Sequence, residues 1–327
     1  MILEIMICDI AIPIWNKKEF TERCINSILD NTSFPFRILL IDNASSEPTC
    51  SYLRTIANQY PDKIVLIRNK ENLGNTMAGI QGMKYSDAEY VCILDNDTIV
   101  CRGWLEEMIR IAGLREDIGV VNPNSNTFGL KGPSSRAALE EFAKDLLRKE
   151  GGKFIEIGAA IGFCYLVKRK VINEIGYWDE GFSPGYFEDT EYSMRAKKYG
   201  YKSVIALGAY VYHDEHSSFK SKEKRKDFEK IFRASQERFF QLYGKPQRLL
   251  YVVRKGITDL DGFNNRLYKE ADRGNFVDII IPQRYASLNI IRHGNIRKIV
   301  LRNLCFNLKT WFRILTKKKR YNMVFYE

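Results

Sequence analysis

Tyr90-Val-Cys-Ile-Leu-Asp-Asn-Asp-Thr-Ile-Val100 is the stretch whose reading orders the rest of the chain. The apolar run Val91 to Leu94 reads as a strand, and it delivers Asp95 and Asp97 at its end before the chain turns apolar again at Ile99-Val100. Side chains two residues apart on a strand point the same way, so the two carboxylates are set side by side at the rim of a sheet. Adjacent carboxylates repel unless a cation or hydrogen-bond donors stand between them. A hard divalent ion that also touches phosphate oxygens answers that repulsion, which makes the chain a candidate enzyme acting on a nucleoside diphosphate. The competing reading is a polar turn after a buried strand, since Asp-Asn-Asp is ordinary turn chemistry.

The preceding sequence alternates strands and helices. Ile2 to Ile14 reads as a buried strand, Glu19 to Leu29 has helical spacing, and Arg37 to Asp42 is a second strand ending in a carboxylate. Cys50 to Gln59 reads as a helix, Ile64 to Arg68 as a strand, and Thr76 to Lys84 as a helix behind the turn Asn72-Leu-Gly-Asn75. This order predicts an α/β sheet, mostly parallel. Ligands of such sheets bind beyond the carboxyl ends of the strands. Asp42, the Asn72 to Asn75 turn, Asp95 and Asp97 all fall at those ends, so they converge in space from separate parts of the sequence. No GxGxxG follows the first strand and no GxxxxGK[ST] occurs, which argues against a dinucleotide dehydrogenase and a P-loop NTPase.

Composition bounds the rest. A chain of 327 residues with 45% apolar and 28% charged residues is globular, with room for one large domain or a domain plus an extension. Seven cysteines, an odd number with no CxxC pair, fit a reducing compartment and no zinc framework. No apolar run reaches the roughly 20 residues of a membrane span, and Glu4 with no basic residue before it makes the N-terminus a strand and not a signal peptide. The net charge of +11 is concentrated: Arg292 to Arg320 holds ten Lys/Arg and no Asp or Glu.

Ile12-Pro-Ile-Trp-Asn16, Ile41-Asp-Asn-Ala-Ser45, Asn72-Leu-Gly-Asn75 and Leu94-Asp-Asn-Asp97 occur in order, followed by Gly176-Tyr-Trp-Asp-Glu-Gly-Phe182 and Tyr186-Phe-Glu-Asp-Thr-Glu-Tyr192. The set resembles family 2 glycosyltransferases of the GT-A fold, especially bacterial rhamnosyltransferase-like members, over roughly residues 5 to 220. The resemblance implies that Pro13, Ile14, Trp15 and Asn16 line the nucleoside, that Asp42 hydrogen-bonds the base, and that Asn72, Gly74 and Asn75 line the nucleotide site. It implies that Asp97 coordinates Mn²⁺ or Mg²⁺ on the diphosphate, with Asp95 toward the ribose or sugar and Asn96 between them at the donor. It implies that the Glu188-Asp189 pair supplies the catalytic base for an inverting transfer, a role mapped to Asp189 with Glu188 and Glu191 as competitors. His213, just after a predicted strand, is either a further metal ligand or a surface histidine. Trp15 and Trp178 are either stacking platforms or packing residues, packing being the better fit for Trp178.

The expected fold is therefore α/β: a GT-A domain over residues 1–220, with a Rossmann-like nucleotide-sugar half (1–100) and an acceptor half (101–220). Its sheet is mixed and mostly parallel. A mainly helical C-terminal extension over residues 221–327 follows, with Val277 to Pro282 a candidate strand within it. Residues 217–243 read as a helix burying Phe228, Ile231, Phe232, Phe239 and Leu242. Ile296, Val300, Leu304, Leu308, Trp311 and Phe312 form one stripe of a basic helix over 296–320. Such a helix suits an anionic membrane surface; the alternatives are a helix docked on the protein and, less suited, nucleic acid. The expected activity is metal-dependent transfer from a nucleotide-diphosphate sugar to a glycan or lipid-linked acceptor. The expected location is cytoplasmic, peripheral on the inner face of the cell membrane. Two rivals are a sugar nucleotidyltransferase, which needs a Gly-rich basic loop that Pro13 to Asn16 lacks, and a non-catalytic scaffold of the same fold.

Overall fold

The computed structural model describes residues 8–214, 222–303, 306–316 and 320–327. Ile2 to Ile7 of the expected first strand, His216, Leu304, Lys317 to Lys319 and the start of the helix expected from 217 lie outside them. The chain forms two units, one of Met1–Phe154 with Ala159–Leu242, the other of Ile155–Gly158 with Tyr243–Glu327.

The first unit opens with β1 (Cys8–Ile14), α1 (Lys18–Asn31), β2 (Phe36–Asp42), α2 (Thr49–Gln59), β3 (Ile64–Arg68), α3 (Gly74–Tyr85) and β4 (Tyr90–Leu94). β1 pairs in parallel with β2 and with β4, and β2 in parallel with β3. All seven residues of β1 and all five of β4 are buried, as strands covered by helices on both faces must be. The helices bury one stripe each; α1 turns Cys24, Ile25 and Ile28 inward. α3 lies close against β1 because Gly82 has no side chain there: a Cβ would sit 2.4 Å from the Cβ of Ala11.

In chain order β5 (Thr98–Val100), α4 (Trp104–Gly113), β6 (Ile118–Asn124), α5 (Arg136–Glu150), β7 (Phe154–Ile157, whose residues from Ile155 on are counted with the second unit), β8 (Cys164–Lys168), α6 (Arg169–Ile175), α7 (Glu188–Lys198), β9 (Lys202–His213) and α8 (Lys222–Tyr243) follow. The main sheet runs β3-β2-β1-β4-β8-β6-β9-β5. β8 is antiparallel to β4 and β6, and β5 is antiparallel to β9, so the sheet is mixed and mostly parallel, as expected. The chain direction reverses its order beside β1, and the crevice at the carboxyl ends of β1 and β4 is where open α/β sheets take ligands.

The second unit corrects the expectation of a mainly helical extension beginning at 221. α8 belongs to the first unit, and the remainder is a parallel sheet of order β12-β11-β10-β13, made of β10 (Arg248–Val252), β11 (Phe276–Pro282), β12 (Ile296–Leu301) and β13 (Met323–Tyr326). α9 (Leu260–Asp272) packs Phe263 and Leu267 on the face carrying Leu249, Tyr251, Val277, Ile279 and Ile281. α10 (Phe306–Thr316) packs Phe306 and Ile314 on the other, with Leu250, Val252, Ile280 and Ile299. Neighbouring residues of β10 thus serve opposite faces, the period-two signature of a strand buried on both sides. The single basic helix expected over 296–320 is split: Ile296 and Val300 lie in β12, because a four-residue spacing is also a multiple of two.

Gly82→Val should lower stability by about 1–3 kcal/mol, since the branched side chain must displace either Ala11 or the helix. A denaturant midpoint unchanged from wild type would show that α3 has room to move.

Candidate functional site

The first side chain of the site is set by β4. Asp95 leaves the strand with its N–H donating to the Phe163 carbonyl at 2.9 Å, and the Thr98 hydroxyl donates to the Asp95 carbonyl at 2.8 Å. This closes the turn, and β5 then pairs with β9 in a register that puts Thr98 opposite His213. The Asp214 N–H donates to the Asp97 carbonyl at 3.0 Å, so His213 is fixed beside the turn by backbone pairing. His213 Nε2 lies 3.3 Å from Asp97 Oδ1 and 3.7 Å from Asp95 Oδ2. One ligand atom from each of Asp95, Asp97 and His213 falls within 4.8 Å of the others, two carboxylate oxygens and one imidazole nitrogen converging on one point.

The surroundings aim the imidazole. Its Nδ1 is 3.1 Å from the Thr127 hydroxyl, its ring stacks on Phe163 at 5.2 Å, and Asn126 bonds both the N–H and the carbonyl of His213. A metal-binding histidine is ordinarily oriented through its second nitrogen in this way. Thr127, Phe163 and Asn126 were missed by sequence reasoning; only the predicted position of His213 after a strand pointed to this corner. Asp95 is pushed up to about 7 by burial and then by the neighbouring Asp97, His213 pulling it back, with Asp189 adding to the rise.

The three competing carboxylates of α7 separate cleanly. Glu191 is bound by the Arg195 guanidinium at 2.9 Å, and Arg195 also donates to the carbonyls of Ile175 and Tyr177, so this pair holds the fold. Glu188 is 5% exposed, and its Oε2 has no hydrogen-bond partner among the described residues. Burial, then Asp189 and Asp95, hold the Glu188 carboxyl well above the ordinary range. Asp189 accepts from the Gly162 N–H at 2.6 Å and from the Thr190 N–H and hydroxyl at 2.5 and 3.0 Å. Burial raises it while those donors pull the other way.

α7 is entered through two non-glycine residues in the left-handed region, Tyr186 at φ 72 and Phe187 at φ 68. Such backbone persists only where the surroundings dictate it. α8 supplies them: Phe232 meets both rings at 5.4 Å, Phe239 meets Phe187 at 5.3 Å, and the Ser235 hydroxyl donates to the Gly185 carbonyl at 3.0 Å. Of the face expected for this helix, Phe239 is buried, Phe228 and Ile231 are half-buried, and Phe232 and Leu242 are exposed.

On the nucleotide side the structure redraws several expectations. Pro13 and Ile14, expected to line the nucleoside, are inside β1 with their side chains in the core, because the strand runs fully buried to its last residue. Trp15 follows with 50% exposure and is the ring this loop presents. Asn16 is left-handed and tied to the next loop, its N–H to Ser45 Oγ at 2.8 Å and its Oδ1 to Ser46 at 2.9 Å. Asp42 is fully buried, with Oδ1 taken by the Ser45 N–H at 2.8 Å and Oδ2 by Arg68. Its carboxylate is thus engaged by the protein, and the group it presents beyond the strand ends is Arg68, which no sequence signal marked. Asn72 accepts from the Gly74 N–H at 3.0 Å. Gly74 has φ +85 and touches Pro184, and the Asn75 N–H donates to the Pro184 carbonyl at 2.7 Å. Asn96 donates to the Thr21 hydroxyl at 2.8 Å, bracing the turn on α1. Trp178 is buried and packs on Tyr165, as a core residue.

The profile described as Glycosyl transferase family 2 matches residues 9–176. The chain is 23% identical over 202 residues to glycosyltransferase AglE of Haloferax volcanii, covering 61% of this chain and 64% of that protein. It is 24% identical over 196 residues to glycosyltransferase GlyG of Streptococcus pneumoniae, covering 57% and 63%. The chain thus spans less than two thirds of the length of these relatives. A solved structure of GalNAc-T7 with UDP, GalNAc and Mn²⁺ superimposes with a TM-score of 0.53 at 17% identity, over 64% of this chain and 44% of that one, and shows a common GT-A fold.

An aspartate in an unfolded chain ionises near ~4, so between about 4 and about 7 the folded, cation-free protein holds a proton on Asp95 that the unfolded chain has released. That stability is present at the acid end and is lost as pH rises through about 7. The melting temperature in EDTA should therefore fall as pH rises through this window, Mn²⁺ should oppose the fall, and Asp95→Asn should make it shallower, the raised carboxyls of Glu188 and Asp189 keeping the same sign. A chelated wild-type protein that gains stability over the same range would contradict the crowding of these carboxylates.

Proposed function

The chain belongs to glycosyl transferase family 2, and on that premise we propose that it moves a sugar from a nucleotide-diphosphate sugar to a hydroxyl of a glycan or lipid-linked acceptor, with inversion. The observation that carries the proposal is the convergence of Asp95, Asp97 and His213 within 4.8 Å at the carboxyl ends of the strands. Two hard oxygens and one borderline nitrogen fit Mn²⁺ or Mg²⁺, the nitrogen favouring Mn²⁺. GalNAc-T7, described with UDP, GalNAc and Mn²⁺, supports the same ligand class for this fold. When bound, such an ion supplies Lewis-acid stabilisation of the charge that develops on the leaving diphosphate.

The chain's own groups do the rest. Asp97, Asp95 and His213 hold the cation, with Thr127 and Phe163 fixing the imidazole. Asp189 takes the proton of the acceptor hydroxyl as that oxygen attacks, since a sugar hydroxyl is a weak nucleophile. Its donors from Gly162 and Thr190 favour the charged form and leave lone pairs for that proton. Glu188, held well above the ordinary range by burial, has no donor on its Oε2 to favour the charged form, so we assign the base to Asp189. Trp15 offers a stacking face, and Arg68, clamped by Asp42, offers donors on the nucleoside side. We place the enzyme in the cytoplasm, peripheral to the membrane; the six described cysteines are free and buried, which fits a reducing compartment.

Thermal denaturation with UDP, GDP, dTDP or CMP should show a stabilisation by one nucleotide that needs Mn²⁺ and disappears in EDTA and in Asp97→Ala. Asp189→Asn should keep that shift while lowering kcat by about 10²–10⁴-fold. Absence of any metal-dependent shift, with Asp97→Ala functionally silent, would favour the non-catalytic scaffold.

A further inference from the structure

α10 has an inward and an outward face, and both are apolar. Phe306, Thr310 and Ile314, spaced four apart, face the sheet: Thr310 is 4% exposed, and the other two pack on Leu250, Val252, Ile280 and Ile299. The opposite side of a helix covering a sheet should be polar. Here it carries Leu308, Trp311 and Phe312, spaced three and four apart and 64%, 60% and 63% exposed. Single exposed apolar residues are ordinary, but three large ones on one face of an 11-residue helix form a patch that calls for a partner.

The charge around the patch selects that partner. Arg297 is engaged by Asp278 and Lys298 by the carbonyls of Ala286 and Leu288. Arg302, Lys309, Arg313 and Arg320 are exposed, and the sequence from Arg292 to Arg320 has no acidic residue. A protein partner would have to be strongly acidic and apolar together, whereas an anionic bilayer presents both properties in one surface. The helix is about 16 Å long at 1.5 Å per residue, half of the roughly 30 Å hydrocarbon core. No described helix is long and apolar enough to cross a membrane. The geometry is that of a helix lying in the plane of the interface, with a tryptophan at headgroup depth.

We propose that the outward face of α10 docks on an anionic phospholipid surface, with Leu308 and Phe312 below the headgroups, Trp311 at headgroup depth, and Arg302, Lys309, Arg313 and Arg320 against lipid phosphates. The inference assigns a lipid surface to the second unit and stands independently of the sugar transfer proposed for the first. The split of the expected helix sharpens it, because Val300, expected in the stripe, is in β12 and takes no part.

The full chain should sediment with phosphatidylcholine vesicles that contain phosphatidylglycerol, much less with phosphatidylcholine alone, and should be released by salt. The triple variant Leu308→Ser, Trp311→Ser, Phe312→Ser should lose vesicle binding by about tenfold or more. Its melting temperature and its nucleotide-dependent thermal shift should be unchanged, since all three side chains are exposed. Lys309→Gln with Arg313→Gln should lose much of the preference for anionic lipid and keep the fold. Wild-type protein that stays in the supernatant with anionic vesicles overturns the proposal, as does a triple variant that binds like wild type. Self-association in light scattering that the triple variant abolishes, without vesicle binding, would assign the face to a second copy and would also overturn it. None of these readouts uses transfer activity, so failure here leaves the reaction proposed above untouched.

Discussion

Two carboxylates crowded at the end of one strand cannot both carry charge in a solvent-poor corner unless something positive joins them. That constraint organises the first unit. β4 is buried along its whole length, so its end is a fixed point from which Asp95 and Asp97 project. The third group arrives from more than a hundred residues later, carried by β9 and placed by its register with β5. Asn126, Thr127 and Phe163 then prevent the imidazole from turning away. Asp189, the base we propose, is held near the same corner by a main-chain donor from Gly162. Much of the chain after β4 is scaffolding that brings one histidine and one aspartate to a place the first four strands have already determined.

The parts of this arrangement that depend on local pattern were legible in the sequence. The alternation of strands and helices up to Leu94, the turn at Asn72 to Asn75 and the carboxylates at strand ends each follow from spacing within a dozen residues. The parts that depend on long-range partners were not. Asp42 reads the same in sequence whether its carboxylate meets a ligand or Arg68, and only the pairing of β2 with β3 decides it. Pro13 and Ile14 carry no signal for how far β1 stays buried. The second unit departs from the mainly helical expectation because β10 and β11 are short, buried runs that periodicity alone cannot separate from helix, and the four-residue apolar spacing of β12 fits helix and strand alike.

The second unit has a logic of its own. Its four parallel strands take α9 on one face and α10 on the other, and each face is filled by alternate residues of β10 and β11. Once the sheet is covered, the inward side of α10 has done its structural work. An apolar outward side then adds nothing to the stability of the unit in water and raises its tendency to associate, which is the behaviour of a face made for contact and not for folding.

The clasp between α8 and the loop before α7 bears on how such proteins are divided and recombined. The left-handed pair Tyr186 and Phe187 aims the start of α7, and its rings are packed by side chains some 45 residues further along. The geometry at the start of α7 is therefore not held by the stretch in which its sequence signature lies. A boundary drawn at residue 220 would sever the signature from its support, and a graft that includes α7 would have to carry α8 with it to Leu242. Modularity in this fold is set by who holds the strained turn, and the unit of exchange is longer than the motif that advertises it.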